Sequence, residues 1–241
     1  MNRRSEFIGS IRCAVDDLLQ RLSAGTSTAG AALAVRQSLP PTVPDRSGPR
    51  DTAVVVDVSA SMGTCDYPPT RLDGGIHAGI AYNDTRAKEC PGDRIAVISF
   101  SSVSRLVVPL TPVTDRKTIL RAFRRLTADG GTDLAEGLRA AVDLFEHEPP
   151  SGRRRHVILL TDGQGGKPLK MATRLKNELG VVIDVVGIGG SPSVVNEALL
   201  RKVATTDPDG FCHYRFIKDP ETLSEHYTAL AKGLLWHGGG K

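Results

Sequence analysis

The sequence predicts an α/β fold: a doubly wound, mostly parallel central sheet of about six strands, one an antiparallel edge strand, flanked by helices. Three observations predict it. Apolar runs such as Val54, Val55, Val56 and Val157, Ile158, Leu159, Leu160 have the length and β-branching of strands buried on both faces. Stretches with apolar residues at helical spacing alternate with them, as βαβ units require. Two of the runs end abruptly in aspartate, at Asp57 and Asp162, and the carboxyl ends of parallel strands are where open sheets bind ligands.

The chain has 241 residues, 40% of them hydrophobic, enough for one well-buried domain with an appendage. Residues 5–22 place Ile8, Ile11, Val15, Leu18, Leu19 and Leu22 on one helical face, with Arg12, Asp16, Gln20 and Arg21 opposite. Such an amphipathic helix fits docking either on the main domain or on a partner. Small residues and Pro40, Pro41, Pro44 and Pro49 then form a connector, so the expected organisation is 1–49 helix and linker, 50–236 domain, 237–241 flexible tail.

Within the domain, the first strand spans 53–58. The helix after it repeats Leu72, Ile76, Ile80 and Ala87, with Gly75 and Gly79 allowing close approach to the sheet. Residues 94–100 read as the second strand and 105–110 as the third, and the short link between them calls for an antiparallel hairpin. A helix over 115–126 buries Ile119, Leu120 and Phe123, and one over 134–145 aligns Leu134, Leu138, Ala141 and Phe145. Strands at 156–161 and 181–187 enclose a helix around 169–179 that Gly180 terminates. Ser191 with Pro192 opens a helix through 203, residues 211–217 form the last strand, and Asp219 with Pro220 opens a helix through 235.

The chemistry concentrates at the strand ends. Asp57, Ser59 and Ser61 alternate just beyond the first strand, Thr132 follows Gly130 and Gly131 in a loop before a helix, and Asp162 follows the fourth strand. One topology brings all five to one pole. Hydroxyls and carboxylates are the oxygen donors a hard cation takes. Met62, Asp133 and Gly163 flank the set and are the expected rim of a partner-binding face; Asp133 either caps the following helix or adds negative charge near the metal.

In this pattern the chain resembles the von Willebrand factor type A domain family, a Rossmann-like fold, over about residues 50–236. The family's metal-ion-dependent adhesion site uses an Asp-x-Ser-x-Ser motif, a distant Thr and a distant Asp often followed by Gly, and all three parts occur here in order. The resemblance implies that Ser59, Ser61 and Thr132 coordinate Mg²⁺ or Mn²⁺ through their hydroxyls. Asp57 and Asp162 act largely through bound waters, one of them able to coordinate directly. Hydroxyl and water ligands leave the ion electrophilic, so a partner's acidic side chain can complete its coordination. The implied function is an adaptor in a multi-protein system, with a MoxR-type AAA+ ATPase or a stress or defence assembly as its setting.

Competing readings are weaker. A Mg²⁺-dependent hydrolase or phosphoryl-transfer enzyme lacks a convincing nucleophile with its base, so the reading is not an enzyme. A nucleic-acid-binding A-type domain would draw on Arg153, Arg154 and Arg155, or on Lys117, Arg121, Arg124 and Arg125. The net charge is only +4 and aromatic residues are 5% of the chain, so no stacking surface interleaves with these cations. Gly187, Gly189 and Gly190 make a turn rather than a nucleotide loop, because Pro192 replaces the third glycine. Cys212 and His213, adjacent in a strand, face opposite ways, and His77 is a surface or packing residue. Cys13, Cys65, Cys90 and Cys212 lack zinc-site spacing, and a helix of roughly 25 Å between Cys65 and Cys90 puts them beyond disulfide reach. Reduced thiols, no signal peptide core and no apolar run of about 20 residues lead to the expectation of a cytoplasmic protein without membrane contact.

Overall fold

The computed structural model describes residues 48–149 and 151–234. The amphipathic stretch at 5–22, most of the connector and the glycine-rich tail lie outside the described residues. Six strands, β1 (Arg50–Asp57), β2 (Arg94–Phe100), β3 (Ser104–Pro112), β4 (Arg154–Thr161), β5 (Val181–Ile188) and β6 (Tyr214–Ile217), form one sheet in the order β3-β2-β1-β4-β5-β6. All neighbours are parallel except β2 and β3, whose antiparallel pairing is irregular around Val97. The strand order reverses between β1 and β4, where a doubly wound sheet opens a crevice.

Alternation along each strand sorts the core. Val54, Val56, Ile95, Val97, Ile158, Leu160, Val186 and Ile188 face one layer, built by α1 (Arg71–Glu89), α2 (Arg116–Phe123) and α6 (Pro220–Lys232). Ala53, Val55, Ile98, Phe100, Val157, Leu159, Ile183 and Val185 face the other, built by α3 (Leu134–His147), α4 (Leu169–Thr173) and α5 (Glu197–Val203). A β-carbon on Gly75 would stand 2.4 Å from Leu160, so this glycine does let α1 approach the sheet. Gly79 serves a different contact: its β-carbon would meet the Phe123 ring at 2.4 Å, so it admits α2 rather than the sheet.

Helix starts are capped by side chains, Asp133 and Asp219 among them as the sequence suggests. Thr70, Asp115, Asp133, Asn196 and Asp219 each accept a backbone N–H of the first turn. Several elements differ from the sequence reading, and the helix expected over 115–126 ends at Phe123. The helix expected over 191–203 is split into a 3₁₀ turn at Pro192–Val194 and α5, because Val195 takes an extended conformation to enter the core and Asn196 caps afresh on Leu199 N at 3.1 Å. The last helix stops at Lys232, where Gly233 adopts φ 72. The last strand begins at Tyr214, since 207–211 closes a turn through Asp207 N to Phe211 O at 2.8 Å. The helix around 169–179 runs as α4 followed by a π-helical turn, Arg174–Glu178. Among the described residues, no helix is long and apolar enough to cross a membrane.

Candidate metal centre

The loops at the carboxyl ends of β1, β2 and β4 are tied together by backbone bonds. Val58 N donates to Phe100 O at 2.8 Å, extending the β1–β2 ladder past Asp57. The Thr132 loop then docks on the serine loop, with Asp129 N to Val58 O at 2.7 Å and Ala60 N to Gly130 O at 3.0 Å. Its other side is held by Asp133 N to Ser101 O and Leu134 N to Gly165 O. Thr132 is thereby laid on the loop after β4: a β-carbon on Gly163 would lie 2.4 Å from Thr132 Cγ2, and one on Gly165 would lie 1.9 Å from Thr132 O. The three segments singled out in the sequence do converge.

Asp57, Ser59 and Asp162 are buried, Thr132 is half-buried, and Ser61 is exposed. Ser59 Oγ and Ser61 Oγ are 3.1 Å apart, and Ser61 donates to Asp162 Oδ1 at 2.8 Å. Adjacent oxygens around an octahedral Mg²⁺, each about 2.1 Å from the ion, stand roughly 3 Å apart. The Ser59–Ser61 and Ser61–Asp162 pairs are hydrogen-bonded at a spacing that neighbouring octahedral positions share, and the donor types fit the cation. Among the described residues no three His, Cys, Asp or Glu side chains form a metal cluster. The donor set is instead hydroxyls with two carboxylates, which suits a hard cation.

Asp57 is positioned rather than open. Its Oδ1 accepts Ser59 N at 2.9 Å and its Oδ2 accepts the Thr161 hydroxyl at 2.6 Å, leaving further lone pairs for bound water. Burial pushes this carboxyl up to about 6, against the bonds from Ser59 and Thr161, and the charge of Asp162 adds to the rise. A desolvated carboxylate pair of this kind is stabilised by a cation nearby.

Two of the three expected rim residues are not at the surface. Met62 is 0% exposed because the 3₁₀ turn Ala60–Gly63 rolls its side chain into the core. Gly163 is buried beneath Thr132. Asp133 takes the capping role, its Oδ1 accepting Ala135 N at 2.9 Å.

Sequence reasoning missed Thr161, Arg71 and Asp66. Arg71, the first residue of α1, is buried and donates from Nη1 to Asp162 Oδ2 at 2.7 Å and from Nε to Asp66 Oδ1 at 2.7 Å. Arg71 opens a helix that carries several other charged residues, so its sequence position gave no signal of this role. The β5 end is a turn, as expected, and Gly190 N donates to Asp66 Oδ2 at 3.1 Å.

The other polar groups lie elsewhere. Arg153 and Arg154 sit at the amino end of β4, the opposite pole, where Arg153 pairs with Asp51 at 2.6 Å. Lys117, Arg121, Arg124 and Arg125 are exposed, as is His77. Under α6, Asp184 is buried between His156 Nε2 at 2.6 Å and His213 Nδ1 at 2.9 Å, and His213 Nε2 reaches Asp207 at 3.2 Å. One carboxylate supports one imidazolium. Burial pushes His156 down to about 4, whereas His213, also buried, is raised by Asp184 and Asp207. His213 faces inward while Cys212 bonds to Arg201 O, which separates the two as expected.

Residues 52–164 match the model of the von Willebrand factor type A domain. Solved structures agree: a von Willebrand factor type A protein from Catenulispora acidiphila superposes with a TM-score of 0.62 at 27% identity, covering 76% of this chain and 42% of that one. The fold is that of a von Willebrand factor type A domain. The SpRpn10 VWA domain shares the fold at TM-score 0.62 and 21% identity, over 74% of this chain and 93% of its own. Two curated relatives of the A domain carry no described activity. An uncharacterised protein of Synechocystis is 28% identical over 178 residues, covering 70% of this chain and 39% of that protein. A UPF0353 protein of Mycolicibacterium gilvum is 27% identical over 187 residues, 65% of this chain and 53% of its own. The chain thus spans about half the length of these relatives or less.

Proposed function

We propose that this A domain binds Mg²⁺, or Mn²⁺, at the pole formed by Asp57, Ser59, Ser61, Thr132 and Asp162, and through it captures a protein partner that presents an Asp or Glu. The observation that carries this reading is the oxygen geometry: Ser59 Oγ and Asp162 Oδ1, both buried, lie 3.1 and 2.8 Å from Ser61 Oγ, whose residue is exposed.

The chain's residues have distinct parts in it. Ser59, Ser61 and Thr132 supply neutral hydroxyl ligands, Asp162 offers Oδ1 to the ion, and Asp57 orients bound water and balances charge. When bound, the cation supplies an electrophilic position for a carboxylate, since hydroxyls neutralise it less than carboxylates would. Exposure of Ser61 beside the buried Asp57 leaves that side open to a macromolecule. The arrangement favours binding over turnover, which fits an adaptor working in the cytoplasm; the family resemblance suggests a MoxR-type AAA+ ATPase as one partner class.

The test is capture of partners from native lysate by the immobilised full chain in Mg²⁺ and in EDTA, beside Asp57→Ala and Thr132→Ala. The reading expects a set of captured proteins lost in EDTA and in both variants. Capture that survives all three rules it out.

A further inference from the structure

The metal reading leaves Arg71 unexplained: a buried arginine stands on one of the proposed site's two carboxylates. We propose that Arg71 determines which cation the site accepts, by occupying Oδ2 of Asp162 so that this carboxylate can offer only one oxygen to the ion. The inference rests on the metal-site reading above and deepens it.

Cation choice between Mg²⁺ and Ca²⁺ depends on ligand number and on carboxylates that can bind through both oxygens. Ca²⁺ takes six to eight oxygens at about 2.3–2.6 Å and readily uses a bidentate carboxylate, whereas Mg²⁺ requires six at about 2.0–2.1 Å. Asp162 is the carboxylate nearest the hydroxyl ligands, with Oδ1 on Ser61 at 2.8 Å and Oδ2 on Arg71 Nη1 at 2.7 Å. Its side chain is fully buried and that of Arg71 is 8% exposed, so the pair is shielded from solvent competition. The other carboxylates do not replace it. Each oxygen of Asp57 already accepts one bond, from Ser59 N and from Thr161, which turns its remaining lone pairs to bound water, and Asp133 caps α3.

Arg71 is itself fixed. Its Nε and Nη2 fork onto both oxygens of Asp66 at 2.7 and 2.5 Å, the bidentate geometry that a planar guanidinium favours. Gly190 N steadies Asp66 from behind at 3.1 Å, and a β-carbon on Gly190 would come within 2.9 Å of the same carboxylate. The loop after β5, Asp66, Arg71 and Asp162 thus form one chain of contacts ending at the proposed ion. With Oδ2 withheld and neighbouring oxygens 2.8–3.1 Å apart, a small octahedral ion is matched and Ca²⁺ lacks its bidentate ligand.

Removing Arg71 changes two things that a selectivity ratio separates. Loss of its positive charge strengthens binding of every divalent cation alike, but release of Oδ2 adds a ligand that Ca²⁺ uses and Mg²⁺ does not. Calorimetric titration of the full chain with Mg²⁺, Mn²⁺ and Ca²⁺ measures the ratio. Wild type is expected to prefer Mg²⁺ and Mn²⁺. Arg71→Met should shift the Ca²⁺-to-Mg²⁺ affinity ratio toward Ca²⁺ by about tenfold or more, the scale of effects from groups that orient metal ligands. Asp66→Asn, which removes no buried charge from beside Asp162, should shift it the same way by less. An unchanged ratio in folded Arg71→Met overturns the inference, and Asp66→Asn decides if the first variant fails to fold. Wild type that binds none of the three ions would sink the metal site itself, whereas binding with an unaltered ratio in the variants would sink only the role of Arg71.

Discussion

The Thr161 hydroxyl donates to Asp57 Oδ2 at 2.6 Å, joining the last residue of β1 to the last residue of β4 across the point where the strand order reverses. The same hydroxyl accepts Gly163 N at 3.0 Å. One side chain therefore orients the buried carboxylate of the serine loop and the backbone of the aspartate loop together.

Thr161→Val removes this oxygen at nearly constant volume. It leaves a buried carboxylate one bond short and Gly163 N without its acceptor, which costs on the order of 1–3 kcal/mol. Urea unfolding at pH 7 should show that loss. Titration with Mg²⁺ should show affinity lowered about tenfold, as for groups behind metal ligands. Thr161→Ser should restore most of both; a Val variant with wild-type metal affinity would mean that Asp57 needs no orientation from β4.

Gly165 bears on the position of Thr132. A β-carbon there would lie 1.9 Å from Thr132 O, a backbone atom with no rotamer to escape through. Gly165→Ala must therefore displace one of the two loops, at about 1–3 kcal/mol as for other overpacked sites. Mg²⁺ affinity should fall with it, while Gly180→Ala, where a β-carbon meets nothing within 4 Å, should lose stability through its φ of 63 and leave metal binding intact. Equal metal affinity in the two variants would remove Thr132 from the site.

The His156–Asp184–His213 cluster contributes to the pH dependence, beside His226, which burial also lowers to about 4 and which is common to the variants compared. Burial lowers His156 to about 4 from an ordinary 6.5, so the folded state binds fewer protons than the unfolded chain between those values. Stability from this group is full above pH 6.5 and is lost as pH falls through 6.5 toward 4, by about 1.4 kcal/mol per pH unit. Asp184, despite burial, is lowered to about 2 by both histidines, and its contribution is lost only below pH 3.8. His213 is raised, so its contribution is present below 6.5 and is lost as pH rises above it. Asp57, raised to about 6 by burial, penalises the fold as pH rises and is common to any pair of variants compared. His156→Gln keeps a donor for Asp184 without titrating. Denaturant melts from pH 7 to 4.5 should show an acid-side slope shallower by about one proton in this variant than in wild type.

Much of this was legible because the signals were local. Strands such as β1 and β4 read as apolar runs because both faces are buried, and the five oxygen-bearing residues read as a set because each follows a strand or precedes a helix. What escaped depended on tertiary placement. Met62 follows Ser61 in sequence, but the 3₁₀ turn sends it to the core, and Gly163 lies under the side chain of Thr132, far earlier in the chain. Arg71 reads as an ordinary charged helix residue until the fold sets Asp162 against it. The break at Val195 is a core requirement overriding a good cap at Ser191.

Asp133 follows a proposed metal ligand, and its two readings separate by substitution. Its Oδ1 accepts Ala135 N at 2.9 Å at the start of α3, and Leu134 N is taken by Gly165 O, so the carboxylate fills a role that Asn fills as well. If capping is its contribution, Asp133→Asn leaves unfolding free energy nearly unchanged, and Asp133→Ala costs about 1 kcal/mol, with α3 fraying at its first turn. If its negative charge supports the cation, both variants weaken Mg²⁺ binding equally. The observed bond favours the first outcome: Asn retained in stability and metal affinity, Ala deficient in stability. Chemical denaturation with Mg²⁺ titration of the same three proteins decides between them, and equal metal loss in Asn and Ala would assign Asp133 to the ion instead of the helix.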